Sequence, residues 1–158
     1  MNVFSLLRGA AMVNDQVPVT GQVKLVLIGP DGKTKQTEVS NLVVTAGKGY
    51  IASRMKDASA TAMSHMAVGT TNTAAAAGDT TLAAEVSLSR TALTSTNVST
   101  NVVTYACTFA AGTGTGALVE AGIFNASSSG TMLCRTVFSV INKGASDSLL
   151  VTWTVTVG

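Results

Sequence analysis

The end of the chain alternates between apolar and polar side chains with a period of two. The apolar positions are Leu149, Val151, Trp153, Val155 and Val157. Because successive side chains of a strand point to opposite faces, this pattern predicts a strand whose buried face carries the chain's only Trp and whose other face, rich in threonine, meets water or a partner. Two further apolar runs precede it, separated by turn-rich breaks at residues 125–130 and 142–147. Residues 117–158 therefore predict a three-stranded antiparallel meander.

The turns suggest a register for this meander. If Phe124 pairs with Thr131 across the first break, the register places Glu120 directly opposite Arg135. Two charged residues within strands then satisfy each other, so we predict a structural ion pair between them. Across the second break, the expected pairs are Phe138 with Val151 and Thr136 with Trp153.

Composition limits the classes of function. A chain of 158 residues is long enough for one ordinary core, so a single main domain is expected. Only 11% of its residues are charged, against about 25% in a typical soluble domain. So few charges suit a protein whose faces are covered by neighbours in an assembly. The net charge of +2 comes without any run of Lys and Arg, which argues against nucleic-acid binding as a primary activity. Apolar stretches are too short for a membrane span.

Most of the remaining chain has strand composition. Residues 17–28 and 34–44 flank the turn signal at residues 29–32 and predict a hairpin. Residues 63–68 predict a short strand, and residues 86–96 with 102–110 predict another hairpin. The pattern indicates a mainly β protein, an antiparallel β-sandwich or jelly-roll-like domain of about eight strands with one short helix.

That helix is predicted over residues 46–57, with Thr45 as its N-cap. Gly47 and Gly49 lower its intrinsic stability. We therefore expect packing of Tyr50, Ile51 and Met55 to hold it in place.

The domain organisation that follows is an N-terminal arm at residues 1–16 and a single β domain at residues 17–158. The arm has no clean period, and we expect it to become ordered against a partner. Its apolar residues Phe4, Leu6 and Leu7 are the candidate interface residues.

Several residue types with chemical potential have simpler structural explanations. The glycine-rich stretch 112–116 lacks the Lys and the following helix of a phosphate-binding loop, so a strand connection is predicted. His65 is the only histidine and cannot form a zinc site alone. Cys107 and Cys134 are expected to be buried free thiols. We predict no catalytic residue, no cofactor and no metal site.

Three carboxylates are candidates for acid–base catalysis. They are Asp79, Glu85 and Glu120. Catalysis would need two of them in a cleft with separated pKa values. Because Arg90 follows Glu85 closely and Arg135 is matched to Glu120 by register, structural ion pairs are the simpler interpretation.

Five sequence blocks, in their order, resemble a recurring pattern in tailed-bacteriophage virion proteins. They are NLVVTAGK at 41–48, MAVGT at 66–70, DTTLAAE at 79–85 followed by Arg90, EAGIFN at 120–125, and GTMLCR at 130–135 continuing to Lys143. Members of that group are described as tail-fibre, collar or head-decoration proteins. The resemblance covers residues 41–158.

The resemblance implies a non-enzymatic component of the virion, assembled in the cytoplasm of a bacterial host. Fibres usually carry a long extension, and this chain stops at the end of its β domain, so a capsid decoration (cement) protein on the outside of the head is the leading expectation. Its partners would be the major capsid protein and other copies of itself, as a trimer or dimer. The alternative is a tail, neck or tail-fibre adaptor that attaches a fibre or binds a host surface.

Overall fold

The computed structural model describes residues 16–56 and 60–158. These residues form ten strands and one helix. In chain order the elements are β1 Val19–Ile28, β2 Thr34–Ser40, β3 Leu42–Val43, α1 Thr45–Lys56, β4 His65–Gly69, β5 Thr91–Ala92, β6 Ser95–Ser99, β7 Val102–Phe109, β8 Gly116–Phe124, β9 Met132–Lys143 and β10 Ser148–Val157. The predicted mainly β, antiparallel sandwich is confirmed, with ten strands in place of about eight.

The strands form two five-stranded sheets. The first sheet has the order β2-β1-β10-β7-β6, and the second has the order β3-β9-β8-β4-β5. Their facing sides bury one continuous core, to which Trp153 and Leu25 of the first sheet and Ile123 and Leu118 of the second contribute. The predicted alternation along β10 is confirmed, since its odd-numbered residues from Leu149 to Val155 are buried.

The predicted three-stranded meander is wrong in its last connection. Strands β8 and β9 form the expected hairpin, but β10 leaves it and lies between β1 and β7 in the first sheet. Trp153 is therefore opposite Val23 and Tyr105, and neither pairing predicted across the second break occurs. The turn after β9 leads the chain from the second sheet to the first, and β10 buries its predicted apolar face in the core from that side. Alternation indicates which face is buried but not which sheet the strand joins.

The predicted strand over residues 34–44 is also divided between the sheets. β2 pairs with β1 in the first sheet, whereas β3 pairs with β9 in the second. The division falls at Asn41, whose backbone N–H donates to the carbonyl oxygen of Gly21 at 3.1 Å. In the same way, the predicted strand at 86–96 appears as the short β5 and β6, and the turn before β7 is confined to residues 100–101.

Helix α1 lies over the predicted residues as far as they are described, but it begins at Thr45, so Thr45 is its first residue and not its N-cap. It also packs through a different residue from those predicted. Gly47 is its buried residue, and a Cβ added there would overlap the backbone of Leu133 in β9. Met55 is 86% exposed, so the expectation that it holds the helix is wrong. Tyr50 and Ile51 pack against the core at partial burial. The glycine that weakens the helix intrinsically thus permits its close approach to the sheet.

Candidate functional site

A long loop covers the outer face of the second sheet, the face turned away from the main core. This covering loop comprises residues 70–90. Leu82 of this loop is buried in a small apolar cluster with Val44, Ala67, Phe124 and Met132. A Cβ added at Gly122 would lie 3.0 Å from the Leu82 side chain, so the absence of a side chain at Gly122 makes room for Leu82.

Beside this cluster, Glu120 of β8 and Arg135 of β9 form a buried salt bridge. Oε2 of Glu120 accepts from Nε of Arg135 at 2.9 Å and from Nη2 at 2.7 Å. The side chains are 0% and 1% exposed. Burial of this kind makes the pair sensitive to the loss of either member.

The ion pair forms although the predicted register is wrong. Arg135 lies opposite Gly122, and Glu120 lies opposite Val137. The strands are thus displaced by two residues from the predicted pairing, because the connection is longer than expected and an irregularity follows Ile123. A shift of two keeps both side chains on the same face, and long side chains reach their diagonal neighbours across two strands.

The same two side chains fasten the covering loop. Glu120 accepts hydrogen bonds from the backbone N–H groups of Ala83 at 3.1 Å and Ala84 at 2.7 Å. Arg135 donates to the carbonyl oxygens of Thr73 at 2.9 Å and Ala74 at 3.3 Å. We call this arrangement the Arg135 clamp. It links β8, the central strand of the second sheet, and its neighbour β9 to two separate parts of the loop.

Asp79 completes the Arg135 clamp. Its Oδ2 lies 2.8 Å from Nη1 of Arg135. The backbone N–H of Ala76, and then Arg135, lower the pKa of Asp79 below its ordinary value despite partial burial. Burial opposes the charge of Arg135, but hydrogen bonds and attraction from Glu120 and Asp79 outweigh it and raise the pKa of the guanidinium. Each of the five N–H groups of Arg135 therefore has an acceptor, and the two carboxylates are bridged by a cation.

A second arginine anchors the other end of the covering loop, and we call it the Arg90 clamp. Arg90 makes a bidentate pair with Glu85, with N···O distances of 2.9 and 3.0 Å. Its Nη1 donates to the carbonyl oxygens of Ala126 and Ser129, both at 3.1 Å, in the connection between β8 and β9. The guanidinium carbon lies 3.4 Å from the ring centroid of Phe124. This stacking places a cation over an aromatic face and fixes the plane of the guanidinium.

Lys143 joins two further connections at the end of the sandwich. Its Nζ donates to the carbonyl oxygens of Ala110 at 3.0 Å and Asp147 at 2.7 Å. The residue is 2% exposed. Burial lowers the pKa of Lys143, and attraction from Asp147 opposes that effect. The glycine-rich stretch 112–116 lies next to this contact and connects β7 to β8, as predicted.

Sequence reasoning did not assign a structural role to Lys143, although a signal was present. In β9, Phe138 and Ile141 are buried while Asn142 is exposed. Lys143 is two residues beyond Ile141 and so falls on the same face. A single Lys in an inward-facing position predicts a buried amine that donates hydrogen bonds.

The remaining candidate residues are not brought together. His65 begins β4, is partly buried, and its Nδ1 lies 2.8 Å from Oγ of Ser64. Cys107 and Cys134 are free and buried, as predicted, and burial raises the pKa of each thiol to about 12. Within residues 16–56 and 60–158, no group of three or more His, Cys, Asp or Glu side chains is arranged to hold a metal ion. The candidate interface residues Phe4, Leu6 and Leu7 lie outside the described residues.

Comparison with known proteins identifies no relative. No protein-family model, curated protein or solved structure matches the chain. In the part of the chain that the structure describes, no helix is long and apolar enough to cross a membrane. The resemblance of the five blocks to phage virion proteins stays a prediction.

Proposed function

We propose that this chain is a structural protein of a tailed-phage virion, and specifically a decoration protein that binds the outside of the head and stabilises it. One observation carries the proposal. Three of the blocks that resemble virion proteins, residues 79–85 with Arg90, 120–125 and 130–135, are separate in the sequence, yet five of their charged residues meet on one face of the second sheet. Asp79, Glu120 and Arg135 form one clamp there, and Glu85 with Arg90 forms the other. These three blocks therefore contribute to one structural device, a loop fastened across a β-sheet, and this supports the proposal.

The clamps support a mechanical role because of what they bond. Arg90, Arg135 and Lys143 donate to backbone carbonyl oxygens in four connections of the sandwich. Such links resist the opening of loops, which are otherwise the least stable parts of a domain. A rigid module loses little conformational entropy when it docks on a shell.

The first sheet supplies a suitable docking face. Its outer side carries partly buried threonines of β10 and β7. They are Thr152, Thr154, Thr156 and Thr104. Each hydroxyl can donate and accept a hydrogen bond, so the part of this face formed by β10 and β7 can pair with a neighbour without matched charges. A ligand that binds only the assembled state stabilises that state by mass action, and the effect repeats at each site on a shell.

The test is to assemble particles of the phage that encodes this chain with and without its product. Decoration predicts that particles without the product keep adsorption to cells but lose resistance of the head to heating or chelation, and that adding the purified protein restores it. Difference density in particle images should lie on the head surface. Density confined to the tail or neck, with an unchanged head, would refute decoration.

A tail or neck adaptor that binds a host surface is the second candidate. It is favoured by a depression of about 390 Å³ lined by Leu88, the ion pair of Glu85 and Arg90, and Ser127–Ser129. Leu88 is exposed there beside three serine hydroxyls. A combination of an apolar contact with adaptable hydroxyls suits a glycan surface. Binding of the isolated protein to a glycan array, lost on Leu88→Asp, would favour the adaptor.

A further inference from the structure

An apolar groove lies between helix α1 and the open end of the first sheet. It has a volume of about 440 Å³. Its apolar lining includes Tyr50, Ile51, Met55, Val98, Val103 and Val157. Met55 is 86% and Val98 is 71% exposed. Large apolar side chains clustered around one groove indicate a surface that is normally covered.

The chain enters the described structure at the edge of this groove. Gln16, Val17 and Pro18 line an adjoining cavity together with Lys48 and Ile51, and Ile51 also lines the groove. Val19, the first residue of β1, lies opposite Val157 of β10. Residues before Gln16 therefore start within a few residues of the groove, so the groove lies well within reach of the arm.

The preceding segment has the composition to fill such a groove. Residues 1–15 read MNVFSLLRGAAMVND. Its large apolar residues are Met1, Val3, Phe4, Leu6, Leu7, Met12 and Val13. Burial of such side chains in the groove would favour ordering of the part of the segment that carries them.

We propose that residues 1–15 of the N-terminal arm dock in the groove of their own chain and cover Met55 and Val98. A tether this short gives the arm a millimolar effective concentration at the groove, which favours the chain's own arm over that of a second molecule in dilute solution. Arm and groove then shield each other's apolar surface in the free protein. In the free protein, this arrangement gives the candidate interface residues Phe4, Leu6 and Leu7 a contact within their own chain.

The experiment uses the full chain with Val98→Cys as a reporter of groove exposure. The native thiols are silent because both are buried with a pKa of about 12, so labelling by a maleimide at neutral pH reports the new thiol alone. The arm variant is Phe4→Asp/Leu7→Asp. The matched control is Asn2→Asp/Ser5→Asp, which adds the same charge to the same segment at polar positions.

We expect the arm variant to increase the labelling rate of the reporter about tenfold or more, with the control unchanged and with all three proteins equally folded by circular dichroism. Protection should be independent of protein concentration. Equal rates in the reporter, the arm variant and the control would overturn the proposal. Protection that appears only as concentration rises would assign the groove to the arm of another copy and would also overturn it.

Discussion

Replacement of Glu120 by Gln tests how much of the fold depends on the Arg135 clamp. The carboxylate accepts four hydrogen bonds, of which three reach Oε2, two from Arg135 and one from Ala83, and the fourth joins Oε1 to the N–H of Ala84. An amide has only one acceptor oxygen. Its most favourable orientation keeps the oxygen toward the three donors and turns the NH₂ group toward Ala84.

The expected cost follows from that orientation. The N–H of Ala84 loses its acceptor, which costs about 1–3 kcal/mol for a buried donor. The two bonds from Arg135 lose the negative charge of their acceptor, and each weakens by about 1 kcal/mol. Asp79 still compensates part of the charge of Arg135. The sum is a destabilisation of about 3–5 kcal/mol, in the range for breaking a buried ion pair.

Unfolding in urea, followed by the fluorescence of the buried Trp153, measures this free energy. With a denaturant slope of about 2 kcal/mol/M, the midpoint should fall by about 1.5–2.5 M. The control is Glu38→Gln, because the Glu38 side chain is exposed in β2 and, among the described residues, accepts a hydrogen bond only from Gln36. It should shift the midpoint by less than about 0.3 M.

Equal midpoints for the two variants would refute the reasoning. Hydrogen exchange of the Ala84 amide then separates two interpretations. Fast exchange at Ala84 with an unchanged midpoint would mean that Glu120 stabilises only the covering loop and that the sandwich folds without this contact. Slow exchange with an unchanged midpoint would mean that neither depends on the carboxylate.

Three further predictions concern other parts of the chain. Gly47→Ala should lower the thermal midpoint, because displacing the helix costs about 1–3 kcal/mol. Gly49→Ala should raise stability by about 0.5–1 kcal/mol, because its added Cβ meets open space. Calorimetry of both variants tests this, and a change of the thermal midpoint in the same direction in both would contradict it. Cys107 and Cys134 should not react with a thiol reagent at pH 8 until urea unfolds the chain, as absorbance at increasing urea would record. The pKa of Asp79 in the folded chain is below its unfolded value of 3.8. The stabilisation from its carboxylate is therefore fully present above pH 3.8 and is lost as the pH falls through the folded pKa. Below pH 3.8, the free energy of unfolding of Asp79→Asn should depend less on pH than that of the parent, as acid unfolding of both would measure.

The sequence predicted local structure well because local periodicity carries that information. The alternation from Leu149 to Val157 identified both the strand and its buried face. It could not identify the neighbouring strands, because both sheets face the same core and each presents an equivalent apolar surface to it. The division of the predicted strand at Asn41 could not be predicted for the same reason, because the sequences of β2 and β3 form one continuous run with strand composition.

The ion pair of Glu120 and Arg135 was predicted for a reason that was only partly right. The predicted register placed them directly opposite, and the structure places them two residues apart along the strands. The contact survives because an even displacement preserves the face. The bond from Asp79 to Arg135 spans 56 residues, and no periodic pattern links the covering loop to β9. Only the folded chain brings these two together.

The covering loop explains why this charge-poor chain places so many charges in one region. From residue 70 to 81 the loop is made of Thr, Ala, Asn, Gly and Asp, so it has little apolar surface to bury, and Leu82 is its one large anchor in the small cluster. Hydrogen bonds to its backbone must then hold it. Arginine is suited to this task because one planar group reaches several carbonyl oxygens at once. Strands β10 and β7 of the first sheet contain no charged residue, and their outer face is rich in threonine. A neighbour can cover this part of the face without burying unpaired charge.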